Sequence, residues 1–173
     1  MATEGFSGAA SGGQLEEKID LSKEVEQKIL QAKTFADQGQ LKEAIALLFA
    51  LEKKCRIGND TPSLVKVCVA TLQICKDTGD IEDLLTTLQT LSTRRSQKTK
   101  ALRSMVELAM PWCTEEVHRP LKVSNDKDKE DREKLVVSLR DITDGKIFLE
   151  AERARLTRAL SIIKVRSSSV HSR

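Results

Sequence analysis

Residues 25–55 have the sequence VEQKILQAKTFADQGQLKEAIALLFALEKKC, which predicts two helices that fold back on each other. Apolar residues recur every three or four positions over 21–37 and again over 41–55, the spacing of one buried helix face. Gly39 separates the two segments, and glycine tolerates the left-handed backbone conformation that ends helices. Ala44 is small enough to let two antiparallel helices approach closely. The stretch therefore predicts a helical hairpin.

The same arrangement recurs 40 residues along the chain, where Gly79 separates predicted helices at 63–77 and 81–92. A third hairpin is predicted from helices at 97–110 and 133–142. We expect Pro111 to kink or end the first of these, and 121–132 to form an exposed, mobile charged loop. A last helix is predicted at 145–164. This pattern indicates an all-α, right-handed α-solenoid of about three hairpins of the tetratricopeptide (TPR) kind, plus an unpaired final helix.

Composition sets the broad class of protein. The 173 residues are 39% hydrophobic and 32% charged with a formal net charge of +3, which is not basic enough to indicate nucleic-acid binding. No basic, apolar signal peptide begins the chain, and no window of about 18 apolar residues predicts a membrane span. We expect a disordered tail at 1–19, a helical-repeat domain at 20–164 and a second disordered tail at 165–173.

The residues that carry chemistry in other proteins occur here without a supporting pattern. Cys68 and Cys75 lie seven residues apart on one predicted helix face, with no nearby CxxC pair, so buried small side chains are favoured over a zinc site. Cys113 and His118 lack a third group that would orient a nucleophile and its base. No glycine-rich phosphate loop occurs. The sequence therefore predicts no enzyme activity, cofactor, metal site or small-molecule ligand.

A basic cluster begins at the predicted loop before the fifth helix. It consists of Arg94, Arg95, Lys98, Lys100 and Arg103. No aromatic side chains interleave with these cations to stack on bases, so a solvated surface or a contact with an acidic protein is favoured over RNA. Basic residues oppose the helix dipole at a helix start, and we expect a carboxylate from elsewhere to compensate them. Absence of such a carboxylate would favour partner binding by Arg94 and Arg95.

The last predicted helix, GKIFLEAERARLTRALSIIK at 145–164, has two apolar faces. One carries Ile147, Ala151 and Ala154. A helix that is apolar on two faces needs neighbours on two sides, and the chain supplies the sixth helix as one of them. We therefore expect the second face to be left partly exposed and to bind a partner. That face carries Leu149, Leu156, Leu160 and Ile163.

Three segments carry a resemblance to a known family: VEQKI with AKTFADQGQLKEAIALLFALEKKCR, LLTTLQTLSTRRSQ, and LRDITDGKIFLEAERARLTRALSIIK. Together they resemble the N-terminal solenoid of a proteasome lid subunit of the PCI family. The resemblance implies a non-catalytic scaffold in ubiquitin-dependent protein degradation, in cytoplasm and nucleus, whose partners are other lid subunits. Family members continue past this helix to a C-terminal PCI module, so we expect the present chain to be truncated before it.

Two alternatives to this interpretation stay open at the level of sequence. One is a PCI-family subunit of the signalosome or of a translation initiation factor. The other is an independent TPR-like adaptor that binds peptides in a groove. Such a groove would be lined by aligned polar residues, and Lys33, Lys66 and Lys98 do not share one register in the sequence.

Overall fold

The computed structural model describes residues 19–114 and 125–170, with the backbone alone for 166–170. Within these ranges the chain is all-α, as predicted, and contains no strand. A short 3-10 turn, Ile147–Leu149, precedes the last helix. The helices are α1 (Ser22–Asp37), α2 (Leu41–Ile57), α3 (Thr61–Thr78), α4 (Ile81–Ser92), α5 (Thr99–Cys113), α6 (Asp126–Thr143) and α7 (Glu150–Val170).

The helices pack as antiparallel neighbours that stack on one another, consistent with an α-solenoid. Helix α1 packs against α2, and α3 packs against α4, as the two glycine-centred patterns predict. Helix α3 is central, because it also contacts α1, α2 and α5. Helix α7 packs against α6 and α5, so the last helix is not unpaired. One continuous apolar core extends through the stack from Leu21 to Leu160.

Glycines end the first helix of each of the first two hairpins. Gly39 and Gly79 have φ angles of 77° and 78°, a conformation that side chains other than glycine adopt at a cost. Gly145, with φ of 67°, serves the same purpose between α6 and the 3-10 turn. The sequence correctly predicts all three turns because the requirement is local.

Asp60 joins the start of α1 to the start of α3. Its carboxylate accepts hydrogen bonds from the Leu21 backbone N–H at 2.9 Å and from the Ser63 backbone N–H at 3.2 Å. Burial favours the protonated acid, but the hydrogen bonds from Ser63 and Leu21 outweigh it and lower the pKa of Asp60. The connection between the helices predicted at 41–55 and 63–77 is therefore shorter than those bounds imply, because Asp60 caps α3 and Thr61 already belongs to it.

The charged segment predicted as a loop before the sixth helix is largely helical, so this prediction is wrong. Most of the loop predicted at 121–132 is helical from Asp126 onward, while 121–124 lie outside the described residues. The Asn125 side chain caps α6 by accepting a hydrogen bond from the Asp128 N–H at 2.7 Å. Acidic side chains in the first turn, Asp126 and Asp128, complement the positive end of the helix dipole. High charge density here therefore marks a solvated helix rather than a loop.

Two other helix ends differ from prediction. Pro111 lies inside α5, which continues to Cys113 instead of ending at Met110. Pro111 lacks the N–H that would bond to the Glu107 carbonyl, and the helix ends two residues after it. Helix α7 continues six residues past Lys164 to Val170, so the predicted tail at 165–173 is helical over its first part. No glycine or proline follows Lys164 to stop the helix. The tail predicted at 1–19 lies outside the described residues, except for Ile19.

Candidate functional site

A buried carboxylate, Glu52 on α2, is the feature around which the predicted basic cluster is organised. The residue carries a carboxylate but is fully buried, on the same helix face as Leu48, Leu51 and Cys55. Its Oε1 accepts hydrogen bonds from Arg56 Nε at 2.9 Å and from Gln97 Nε2 at 3.3 Å. Moving a carboxylate out of water costs several kcal/mol. Hydrogen bonds and nearby cations in the interior offset that cost, so Glu52 needs these partners.

Arg94 completes this cluster from the loop between α4 and α5. Its Nε lies 3.8 Å from Glu52 Oε2, too long for a hydrogen bond but close enough for charge attraction. The guanidinium also lies 5.1 Å from the centre of the Phe49 ring, within the range of a cation–π contact. Glu52 is thus the compensating carboxylate that the sequence led us to expect, and it is supplied by the first hairpin.

Arg95 differs from Arg94 in exposure. Its side chain is exposed, and only its backbone carbonyl takes part in the cluster, accepting a 2.8 Å hydrogen bond from Arg56 Nη1. The segment LSTRRSQ therefore contains one arginine directed into the fold and one directed to solvent. Of the two arginines predicted to bind partners, Arg95 has its side chain free to do so, and this role stays a prediction.

Arg103, the last member of the basic cluster, points to a different part of the molecule. Its Nη2 donates a 2.6 Å hydrogen bond to the Phe148 carbonyl, and its Nη1 lies 4.0 Å from Glu152 Oε1. It therefore ties α5 to the beginning of α7. The structure does not gather the five cations into one patch, which leaves fewer of them to meet a phosphate backbone.

The apolar stripe of Leu149, Leu156, Leu160 and Ile163 is more buried than predicted. Leu149 and Leu156 are fully buried, Leu160 is 5% exposed, and Ile163 is half-buried against the same core. The expectation that this stripe would be left partly exposed is wrong for the three leucines, because α6 and α5 together cover it. A contact with a partner remains a prediction for Ile163 alone.

The opposite face of α7, together with Ile147 of the 3-10 turn before it, is the exposed one. Ile147 is 87% exposed, and Ala151 and Ala154 are exposed as well. Val165, 68% exposed, lies farther along the helix. Apolar and small side chains on an exposed helix face leave room for a second helix to pack closely, so this face is the candidate interaction surface of the last helix.

A groove lies between α1 and α3. It has a volume of about 700 Å³, and Lys33 and Lys66 both line it, although their sequence positions show no common register. Lys98 does not line it. The stacking of α1 on α3 brings both lysines to one groove, where Lys33 lies one to two turns farther along than Lys66.

The cysteines are buried thiols. Burial raises the pKa of Cys55 to about 11 and that of Cys68 and Cys113 to about 12, and it also raises the pKa of Cys75. Such thiols are poor nucleophiles because the thiolate is the reactive form. His118 lies outside the described residues, so its pairing with Cys113 is not tested.

Two classes of feature are not found in the described ranges. Residues 19–114 and 125–170 hold no group of three or more histidine, cysteine or carboxylate side chains placed to bind a metal ion. Over the same residues, no helix has the length and apolar character needed to cross a membrane.

Comparison with known proteins places these features in a family. Residues 43–172 match the family described as PSMD12/CSN4, N-terminal. The 26S proteasome non-ATPase regulatory subunit 12 of Dictyostelium discoideum is 35% identical over 145 residues, which are 84% of this chain and 30% of that protein. Homolog A of the same subunit in Arabidopsis thaliana is 34% identical over 74% of the chain and 27% of its own length.

A third relative is the 26S proteasome regulatory subunit RPN5 of Saccharomyces cerevisiae, 30% identical over 73% of the chain and 27% of that protein. The chain thus spans less than a third of the length of these relatives. The family match covers α2 to α7 and so includes the Glu52 cluster and both faces of the last helix. This chain belongs to the PSMD12/CSN4 N-terminal family.

Proposed function

We propose that this chain is a non-catalytic interaction segment of a proteasome lid subunit, and that it acts in ubiquitin-dependent protein degradation by contacting other lid subunits. The observation that carries the proposal is its similarity to proteins named as 26S proteasome regulatory subunits, at 30–35% identity over 72–84% of the chain. Cytoplasm and nucleus are the proposed compartments.

The surface features of the stack support an interaction role. The side chains inside the fold serve to hold helices together, as Glu52 and Arg103 do. Exposed residues include Ile147 in the 3-10 turn, Ala151 and Ala154 on the same face of α7, and the Arg95 side chain. We propose that this face and Arg95 make the contacts with neighbouring elements of the assembly, since burying exposed apolar surface favours association.

Co-purification tests the proposal. The tagged 173-residue chain is expressed in cells, and the proteins recovered with it are quantified by mass spectrometry. We expect lid subunits to be enriched over the tag alone, and Ala151→Arg to reduce that enrichment because it places a charge on the proposed contact face.

Gln89→Arg is the matched control, since it adds the same charge to an exposed position of α4. Enrichment of no lid subunit would contradict the proposed function. Equal loss in the Ala151→Arg and Gln89→Arg variants would instead contradict the assignment of the contact face.

A further inference from the structure

The groove between α1 and α3 has an apolar floor with room above it. Ile29 and Ala36 line it from α1, and Val69, Ala70 and Ile74 line it from α3. The two alanines are small, and the volume of about 700 Å³ lies in the open space above them. The groove is separate from the exposed face of α7, so its role can be tested independently of the proposed lid function.

Charges follow a definite order along this groove. Lys66 Nζ lies 3.4 Å from Glu26 Oε1, and the Leu21 N–H donates to Asp60 at the start of α3, so the two contacts together show that α1 and α3 run in parallel. Lys33 follows one to two turns later and has no ion pair with a described residue. Asp37 and Asp77 line the groove in the last turn of the two helices. The groove therefore passes from basic to acidic.

The acidic end is made more negative by the backbone. Helix C-termini carry a partial negative charge, and here two parallel helices end side by side with a carboxylate in each last turn. Asp77 accepts a 2.7 Å hydrogen bond from Gln73 Nε2, which is neutral, and Asp37 has no ion pair with a described residue. A cationic side chain over this end would be attracted by both carboxylates and by the two helix C-termini.

The lining distinguishes between kinds of peptide. An extended peptide needs partners for its backbone N–H and C=O groups, and the groove offers one amide, Gln73, already bonded to Asp77. A helix satisfies its own backbone and needs only an apolar floor and matching charges. From Lys66 to Asp77 along α3 the groove is eleven residues long, or roughly 16 Å, which corresponds to about three turns of helix.

We propose that the α1–α3 groove binds an amphipathic helix of a partner protein. The helix has about three turns, an apolar stripe toward Val69 and Ala70, and an arginine or lysine over Asp37 and Asp77. An acidic residue of the same helix meets Lys33. Antiparallel alignment with α1 and α3 is favoured, because it brings the positive N-terminal end of the bound helix to the acidic end of the groove.

Selection from a phage-displayed library of three-turn helical peptides, with the full 173-residue chain as target, tests this proposal. We expect enriched peptides to carry an apolar i, i+3, i+7 stripe and a basic residue at one end. Their affinity for the Asp37→Lys/Asp77→Lys variant should fall roughly tenfold, since attraction becomes repulsion. Peptides whose basic residue is changed to glutamate should bind that variant better than they bind the unmodified chain.

Glu43→Lys is the control, because Glu43 is exposed on α2 outside the groove. Circular dichroism of all variants verifies that they are folded. Selection that yields no binder, binders that lose affinity equally with Glu43→Lys, or binders of extended, proline-rich sequence would each overturn the proposal. None of these outcomes bears on co-purification with lid subunits.

Discussion

Glu52 illustrates how a single buried charge organises the sequence around it. It lies on the apolar face of α2, and its partners come from the same helix and from the loop between α4 and α5. Gln97 also donates a hydrogen bond to the Leu91 carbonyl at 2.8 Å, so the loop is held to both helices that flank it in space. The residues of this loop are therefore constrained by packing as well as by any external contact.

The two adjacent arginines should differ in their effect on stability. Arg94→Ala removes a cation from a buried carboxylate, and we expect it to lower the free energy of unfolding by about 1–2 kcal/mol, the lower part of the usual range because Arg94 is partly exposed. Arg95→Ala should change it by less than about 0.5 kcal/mol. Urea denaturation of both variants gives the comparison, and equal losses would show that Glu52 does not depend on Arg94.

The buried thiols predict a loss of stability at alkaline pH. Their pKa is raised in the folded state, to about 11 for Cys55 and about 12 for Cys68 and Cys113, from an ordinary value of 9.0. The folded chain therefore holds these protons more tightly than the unfolded chain. The stabilisation is complete below pH 9 and is lost as the pH rises through the folded values.

Urea midpoints measured from pH 8 to pH 11 check this expectation. Cys68→Ala should start from a lower stability but lose less of it over that range, because one raised thiol is gone. An identical pH dependence in Cys68→Ala and the unmodified chain would contradict the role of this thiol.

At the scale of single elements, α7 shows that an apolar stripe does not by itself reveal which face is buried. We expect Leu156→Ala to lower the free energy of unfolding by about 2–5 kcal/mol, since Leu156 is fully buried against α6 and α5. Ile147→Ser, at an 87% exposed position, should change it by less than about 0.5 kcal/mol. Thermal and urea unfolding measure both, and a comparable loss in Ile147→Ser would mean that the exposed face is packed.

The turn between α3 and α4 predicts a backbone effect. No atom lies within 4 Å of the position that a Cβ of residue 79 would occupy, so the penalty of Gly79→Ala comes from its φ of 78° alone. We expect a loss of about 1 kcal/mol, and a smaller loss for Gly79→Asn, because asparagine tolerates the left-handed region better. Urea denaturation measures the free energy of unfolding of both variants. Equal losses in Gly79→Ala and Gly79→Asn would contradict the expectation.

At the scale of the whole molecule, the central position of α3 predicts cooperative unfolding. Helix α3 contacts α1, α2, α4 and α5, so loss of one end should weaken the other. Trp112, the single tryptophan, reports on α5, while circular dichroism reports on all helices. Val25→Ala in α1, at a fully buried position, should shift both transitions to lower urea by the same amount. A shift seen by circular dichroism alone would indicate hairpins that unfold separately.

Local sequence signals account for most of the fold. The predicted bounds of α4, about 81–92, agree with the structure, where Asp80 caps the helix and a leucine stripe forms its buried face. The start of α6 is missed even though Asn125 is a good capping residue, because the charges that follow suggest a loop. In the structure those charges pair along the helix, as Lys129 with Asp126 at 2.7 Å and Lys134 with Glu130 at 3.2 Å. Charge density therefore misleads unless its spacing is considered.

The sequence by itself determined the helices, the glycine turns and the family, because periodicity, φ preferences and characteristic segments such as LSTRRSQ are properties of neighbouring residues. Only the tertiary structure decided that Glu52 meets Arg94 and Gln97, which lie more than 40 residues away along the chain. It also decided which apolar face of α7 is buried and which is exposed. The physical reason is common to both, since burial depends on where the other helices stack, and that arrangement is set by the summed packing of the whole core.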